Sequence, residues 1–318
     1  MSDQLKHQNK LPDSQSEKLD KLLGTLQWVG MENIQTPLLV SKKPTSEVQK
    51  ISALVDAMVS LDNSSAKGIH MSRLYLEIQE TLSQELLSET LLKNLLSRIL
   101  KSHEGLSEKA RVVIGFKTLL RRKALLSDNS GWRSYPTLIE AEADKNGHFK
   151  LNLQVEVAYS STCPASASLA RKLIQEQFVK DFSEGQNVDL QKVTDWLSST
   201  QGIVATPHSQ RSLAHVKVQL KTGSNLDPEA LINLIEDILK TPVQGAVKRE
   251  DEQAFALLNG QNLMFCEDAA RRVQSQLGQM DSVVEFVGKF EHIESLHPHS
   301  AVSFIKKSIK SPELSPFK

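Results

Sequence analysis

Cysteine is scarce in this chain of 318 residues, which contains only Cys163 and Cys266. Two cysteines cannot build the disulfide framework of a small secreted protein, and a reducing compartment would keep both as thiols. Each thiol is then a candidate metal ligand or nucleophile, although a buried and inert cysteine is the commoner situation for either one alone. The cysteine content therefore excludes a disulfide-based fold and leaves two candidates for chemistry.

A charge excess and long apolar runs are also missing. Lysine plus arginine and aspartate plus glutamate both total 38, so the chain carries no net charge that would attract nucleic acids or membranes. No apolar run approaches the roughly 20 residues that span a bilayer, and residues 1–20 lack the apolar core of a signal peptide. We therefore expect a cytoplasmic protein that binds neither nucleic acid nor membrane, and any anion site must be built locally.

The sequence does contain clear helical patterns. Residues 1–16 are polar and aperiodic, which predicts a disordered tail before structure begins near Leu19. Apolar residues at helical spacing predict an amphipathic helix over 81–101. The cap and first-turn pair Asp227 and Pro228 predicts the start of another. Beyond 81–101, helices are expected at 167–182, 189–197, 228–240 and 267–277.

Strand patterns predict antiparallel sheet. A hairpin is expected over 137–159, because the turn signal Lys145-Asn146-Gly147 precedes strict alternation of apolar and polar residues from Phe149 to Tyr159. Further strands are expected at 110–120 and 215–221. Strands and helices cluster instead of alternating regularly, so the predicted fold class is α+β.

The order of the elements indicates a duplication. A strand, strand, helix order occurs once before and once after about residue 145. We therefore expect two tandem modules, an N-terminal one over 17–145 and a C-terminal one over 146–318. The C-terminal module carries a helical insertion at about 167–200.

Reactive side chains concentrate in four short segments, residues 161–166, 206–212, 248–252 and 295–300. A thiolate, imidazoles and a carboxylate are ligands that zinc and similar ions prefer, and a catalytic site needs about three or four of them. Cys163, His208, His297 and an acid of the third segment would serve. Their spacings fit no compact metal motif, so surface histidines and a charged helix start explain the same residues equally well.

Seven sequence blocks, taken in order, resemble the GTP cyclohydrolase type IB family, the bacterial enzymes that supply 7,8-dihydroneopterin triphosphate for folate and related pterins. Seven ordered blocks are far more specific than any one of them. They cover most of the chain and read VGMENIQTPL (29–38), GIHMSRLY (68–75), STCPAS (161–166), PHSQRS (207–212), KREDE (248–252), FCEDAARR (265–272) and SLHPHS (295–300).

The resemblance implies a fold and an activity. The fold would be the tunnelling fold, in which antiparallel sheets and paired helices from several subunits form a barrel. The protein would be a homotetramer with active sites at subunit interfaces. The activity would be hydrolysis of GTP to 7,8-dihydroneopterin triphosphate and formate, with a metal-activated water attacking C8 of guanine.

The resemblance also implies a set of metal ligands. Cys163, His208, Glu252 and His297 match the positions that hold a divalent ion, which would be zinc, manganese or iron. Cys163 would in addition be a catalytic centre. Proton transfer would fall to His208, His297 or His299, of which His299 is our candidate catalytic residue.

Substrate contacts follow from the same comparison. Glu267 would be catalytic and would bind guanine, because a carboxylate can accept parallel hydrogen bonds from N1–H and the exocyclic amine. Taken without the family, Glu267 and Asp268 are simply acids favoured at a helix N-terminus. The triphosphate needs local positive charge, for which the candidates are Arg73, Arg211, Lys248 and Arg249.

Two departures from the family pattern concern Cys163. Ala165 stands where the family often has a second cysteine, and 45 positions separate Cys163 from His208 where about a dozen are usual. The added stretch contains the helices predicted at 167–182 and 189–197. Such an insertion is tolerated if its ends meet, because the entropy of loop closure grows slowly with length.

Two other functions are compatible with these residues. A related archaeal-type enzyme converts GTP to a cyclic-phosphate dihydroneopterin. Alternatively, the cysteine, histidines and acid hold a structural metal in a non-catalytic protein, which predicts a closed site of four ligands.

Overall fold

The computed structural model describes residues 24–42, 47–182 and 188–307. The predicted tail over 1–16 and the predicted start near Leu19 lie outside these ranges. Strands and helices occur in clusters, which confirms the α+β class. None of the described helices is long and apolar enough to cross a membrane.

Eight strands lie in one sheet in the order of the chain. They are β1 (Leu26–Lys42), β2 (Glu47–Leu61), β3 (Lys109–Lys123), β4 (Ser130–Asp144), β5 (Phe149–Thr162), β6 (Ser209–Leu220), β7 (Val283–His292) and β8 (Ala301–Lys307). Antiparallel pairing joins β1 to β2, β2 to β3, β6 to β7 and β7 to β8. The predicted hairpin is β4 and β5, and the strand predicted at 110–120 lies within β3. The strand predicted at 215–221 is the second half of β6, which ends one residue earlier, so antiparallel sheet is confirmed.

Seven helices complete the described chain. They are α1 (Met71–Leu82), α2 (Glu89–Ser102), α3 (Pro164–Asp181), α4 (Leu190–Leu197), α5 (Pro228–Leu239), α6 (Arg249–Gln261) and α7 (Cys266–Leu277). The four helices predicted after residue 160 are α3, α4, α5 and α7. The predicted cap is confirmed, because the Asp227 side chain accepts a hydrogen bond of 3.2 Å from Ala230 N.

The helix predicted over 81–101 corresponds to α2, but its predicted start is wrong, because another helix ends just inside this range. α1 ends at Leu82 and α2 begins at Glu89. Ser88 caps α2 by accepting a hydrogen bond of 3.1 Å from Leu91 N, and Leu87 N donates to Leu39 O at 2.8 Å. Both helices bury an apolar stripe of the same spacing, so the periodicity does not show the break between them.

The chain forms two compact units. The first consists of the described residues up to Phe116 with 138–152 and 222–226, and the second of 117–137, 153–221 and the described residues from Asp227 onward. The order strand, strand, helix, helix, strand, strand occurs as β1 to β4 with α1 and α2. It occurs again as β5 to β8 with α5 and α7, interrupted by α3, α4 and α6. The bounds 17–145 and 146–318 stay predictions, since β3, β4 and β5 contribute to both units.

The core of the second unit lies against one face of its strands. On β5, Leu153, Val155 and Val157 are at most 2% exposed, and the residues between them are half-buried. Helix α7 packs on β7, β8 and α5. Each fully buried aliphatic side chain contributes about 1.5–3 kcal/mol. This face therefore holds the ends of β5, β6 and β7 in place.

Gly30 allows β1 and β2 to approach each other closely. A Cβ atom at this position would lie 2.0 Å from Ala57 O and 2.7 Å from Met58 Cα. We expect Gly30→Ala to lower the free energy of unfolding by about 1–3 kcal/mol or more, because backbone atoms of β2 must shift. Urea denaturation measures this. Gly68→Ala is the control, because nothing lies within 4 Å of its added Cβ atom. It should change the free energy of unfolding by less than about 0.5 kcal/mol. An equal loss in both variants would contradict the role of Gly30 in the close approach of β1 and β2.

His103 makes the stability of the first unit depend on pH. The residue is 0% exposed, and burial lowers the pKa of its imidazole below 6.5 although Ile99 O accepts from its ring. The unfolded chain then binds more protons, so the free energy of unfolding should fall as the pH drops below about 6.5. His103→Gln should flatten that slope in denaturation between about pH 6.5 and 5. His148→Gln, which removes a side chain that is 81% exposed, should keep the wild-type slope.

Candidate active site

Cys163 and His208 are brought together by the ends of β5 and β6. Cys163 follows β5 and caps α3, with its Sγ accepting from Ser166 N at 3.5 Å. Cys163 N donates to His208 O at 3.3 Å, and His208 N donates to Ser166 Oγ at 3.0 Å. Both side chains are half-buried. The stretch between them therefore closes on itself, and the 45 positions of separation do not keep the two predicted ligands apart.

Glu294 joins this pair, although the sequence analysis did not select it. His208 Nε2 lies 3.6 Å from Glu294 Oε2, and the two side chains are 25% and 15% exposed. A carboxylate at this distance can hold the imidazole in one orientation. The available signal was its place beside the SLHPHS block, three residues before His297.

Asp251 and Glu252 are adjacent at the start of α6, and Asp251 alone accepts the hydrogen bonds that secure the helix start. Asp251 is buried and accepts hydrogen bonds from Lys248 N, Ser127 N, Ser127 Oγ and Leu126 N at 2.6–2.9 Å. The bond from Lys248 N is the largest cause that holds the pKa of this carboxyl well below 3.8. Asp251 thus secures the helix start, while Glu252 is exposed.

Glu252 and Arg211 line one cavity. Its volume is about 360 Å³, and its other walls include Tyr159, Gln244 and Phe255. This volume falls within the range of small-molecule sites. The structure therefore places a predicted metal ligand and a predicted phosphate contact at one opening, next to the strand that follows His208.

Glu267 and Asp268 have similarly different roles at the start of α7. Asp268 Oδ2 accepts from Phe265 N at 3.0 Å and so caps the helix. Glu267 is exposed one residue earlier. Cys266, the residue before Glu267, donates its Sγ–H to Phe290 O at 3.3 Å, so the start of α7 lies against β7. Burial lowers the pKa of His292 to about 4, and the Glu267 and Asp268 carboxylates oppose this shift. The capping role belongs to Asp268, and Glu267 is available for a ligand.

The remaining predicted residues are exposed. His297 and His299 stack on each other, with ring centroids 5.0 Å apart, between β7 and β8. Lys248 and Arg249 are exposed at the start of α6. Arg73 lies in the first unit, where its Nη1 donates to Ser102 O.

The donors fit a metal ion in their chemistry. Cys163 and His208, which a backbone hydrogen bond joins, carry a thiol and an imidazole, and zinc accepts both together with carboxylates. Among residues 24–42, 47–182 and 188–307, however, no three histidine, cysteine, aspartate or glutamate side chains are grouped closely enough to hold an ion. The predicted set of four ligands stays a prediction.

Solved structures with a similar fold exist. Uricase from Arthrobacter globiformis matches 92% of this chain and 99% of its own, with 9% sequence identity and a TM-score of 0.50. At this identity the likeness shows the fold alone, and that fold is the tunnelling fold. The fold implied by the sequence blocks is confirmed.

Curated relatives are much closer in sequence. GTP cyclohydrolase FolE2 of Bdellovibrio bacteriovorus is 50% identical over 300 residues, which cover 94% of this chain and 97% of the relative. The enzyme of the same name from Hydrogenovibrio crunogenus is 46% identical over 299 residues, with 94% and 95% covered.

The family itself is defined by a pattern that extends along nearly the whole chain. The sequence model of the type I GTP cyclohydrolase FolE2 family matches residues 11–303, which include all seven sequence blocks. With two relatives at 46% identity or more, the match leaves no alternative family to consider. The chain belongs to the type I GTP cyclohydrolase FolE2 family.

Proposed function

We propose that the protein hydrolyses GTP to 7,8-dihydroneopterin triphosphate and formate, the first step of folate and pterin synthesis. The observation that carries the proposal is the meeting of Cys163 with His208, half-buried at the ends of two strands. This meeting supports a site with Cys163 as a soft ligand and His208 as a base, in a chain whose relatives carry the name GTP cyclohydrolase. Hydrolysis at C8 would open the imidazole ring and release formate. Carbon atoms of the ribose would then complete the second ring of the pterin.

Cys163, His208, Glu252 and His297 would hold a divalent ion, which we propose to be zinc, manganese or iron. When bound, such an ion supplies a water of lowered pKa as the nucleophile for C8. Glu294 would keep the His208 ring in its orientation through the contact at 3.6 Å. His208, His297 and His299 are the bases available to move protons, and His299 is exposed and stacks on the predicted ligand His297.

Glu267 would recognise guanine. Its exposed carboxylate can accept hydrogen bonds from N1–H and the exocyclic amine together, whereas adenine cannot donate that pair. Asp268 cannot take this role, since it caps α7. Purine selectivity would therefore depend on a single carboxylate.

Arg211, Lys248, Arg249 and Arg73 would bind the triphosphate. Arg211 has the best support, because it shares the cavity of about 360 Å³ with Glu252. Guanidinium groups match phosphate oxygens in two-point geometry, which suits a chain of three phosphates.

We also propose a homotetramer that works in the cytoplasm and completes its sites between subunits. Two observations support this assembly. His297 and His299 are exposed, and the described residues of one chain do not gather three metal donors.

Cys163→Ala should abolish formate release from GTP and lower the bound metal per subunit. The reason is that the thiolate is the softest of the proposed donors and lies beside His208. Formate assay and elemental analysis of the same preparations measure both effects, and product chromatography separates a triphosphate from a cyclic phosphate.

Cys266→Ala is the matched control for this variant. Cys266 is 4% exposed and donates its Sγ–H to Phe290 O, so it should keep both metal and activity. Equal formate release by Cys163→Ala and the wild type would refute the proposed function, and a cyclic-phosphate product would favour the archaeal-type reaction.

Glu267→Gln should remove the preference for GTP over ITP, which lacks the exocyclic amine. We expect kcat/KM for GTP to fall by about 100-fold or more and that for ITP to change much less, since an unpaired buried polar group is costly. Asp268→Asn is the control. It should cost about 1 kcal/mol of stability through the cap and keep the GTP preference, and loss of that preference in Asp268→Asn alone would contradict the assignment.

A further inference from the structure

The buried faces of three strands change from apolar to polar where they approach Cys163. The last buried residue of this face is Ser161 on β5, and the corresponding residues are Ser212 on β6 and His292 on β7. All three are at most 2% exposed. Deeper in the core the same faces carry aliphatic and aromatic side chains. Because buried polar groups are costly unless they are hydrogen-bonded, their presence in one layer calls for an explanation.

These residues form one hydrogen-bonded network with Tyr159. Ser161 Oγ lies 2.8 Å from Ser212 Oγ and 3.2 Å from His292 Nδ1. His292 Nε2 lies 3.0 Å from the hydroxyl of Tyr159, which also lines the cavity at Glu252. Burial lowers the pKa of His292 to about 4, so the ring is neutral and can donate from one nitrogen and accept at the other. We call these four residues the polar layer.

Each strand of the polar layer leads directly to a site residue. Cys163 follows Ser161 by two residues, and Glu294 follows His292 by two. His208 precedes Ser212 by four. Ser212 and His292 are also direct partners in the pairing of β6 with β7. The layer therefore joins the three strand ends at the level immediately beneath Cys163, His208 and Glu294.

Stability alone does not account for the layer. A hydrogen bond between buried groups contributes a net of only about 1 kcal/mol, and apolar residues of similar volume stabilise a core at least as well. What hydrogen bonds add is fixed direction and distance between the groups that they join. Ligands of a metal ion need that precision, because supporting residues behind them commonly change metal affinity by about 10–100-fold.

We propose that the polar layer is a positioning device that fixes the ends of β5, β6 and β7, so that the Cys163 thiol and the His208 imidazole keep the arrangement that a divalent ion needs. Tyr159, Ser161, Ser212 and His292 are then positioning residues for the site. The inference rests on the proposed function, because it assigns the layer to the same site.

The test compares Ser161→Ala, Ser212→Ala and His292→Phe with the wild type. The dissociation constant for Zn²⁺, measured on metal-free protein by competition with a chromogenic chelator, should rise about tenfold. The kcat for GTP in the metal-loaded enzyme should fall while KM changes little, since none of these residues is placed at the substrate. If His292→Phe does not fold, the two serine variants decide, because each removes only one hydroxyl.

Thr137→Val provides the matched control. Thr137 is 2% exposed, and its Oγ1 lies 2.8 Å from Thr118 Oγ1 between β3 and β4, two strands that carry no predicted site residue. This variant should lose stability like the serine variants and keep the wild-type zinc affinity and kcat.

Two results would overturn the inference. One is unchanged zinc affinity and kcat in both serine variants, and the other is an equal loss in Thr137→Val. A wild-type protein that binds zinc but releases no formate from GTP would refute the proposed function instead. In that case the zinc affinities of the variants would still decide whether the polar layer positions the metal donors.

Discussion

The hydrogen bond from Cys163 N to His208 O is the contact on which the candidate site depends. It joins the ends of a stretch that contains α3 and α4, and that stretch is held together by its own contacts. Trp196 packs edge-on against Phe178 and Phe182, and its Nε1 donates to Asp181 Oδ2 at 2.8 Å. The entropy of loop closure grows slowly with length, so a long stretch between the two residues costs little more than a short one. The separation of 45 positions is therefore compatible with the meeting of Cys163 and His208.

Neighbouring acids share the work of folding and of function in two places. At the start of α6, the Asp251 carboxylate accepts hydrogen bonds from backbone and hydroxyl donors, whereas Glu252 is exposed and lines the cavity. At the start of α7, Asp268 caps the helix and leaves Glu267 exposed. The short aspartate side chain suits the cap geometry, while the longer glutamate reaches away from the helix start. In each pair the aspartate therefore stabilises the helix start. The glutamate remains available for a ligand, which is the metal ion for Glu252 and guanine for Glu267.

The sequence was informative where one local rule decided the outcome. Alternation from Phe149 to Tyr159 and the cap at Asp227 located β5 and α5, and ordered motifs identified the family. The rest depended on contacts that are distant along the chain. Apolar residues have the same helical spacing in α1 and α2, so their pattern does not reveal where one helix ends and the next begins. The only local signal is the capping residue Ser88, and serine is a weak signal by itself. The pairing of Glu294 with His208 and of Ser161 with His292 is set by strand neighbours, which no local pattern encodes.

The central claim is that this site opens the imidazole ring of GTP at C8. The most direct measurement is a turnover of GTP labelled with ¹³C at C8 by the metal-reconstituted wild-type protein, followed by NMR. The account predicts one labelled formate for each 7,8-dihydroneopterin triphosphate formed, with all three phosphates retained. Label that stays in intact GTP, or a labelled formate that accompanies a cyclic-phosphate pterin, would contradict it.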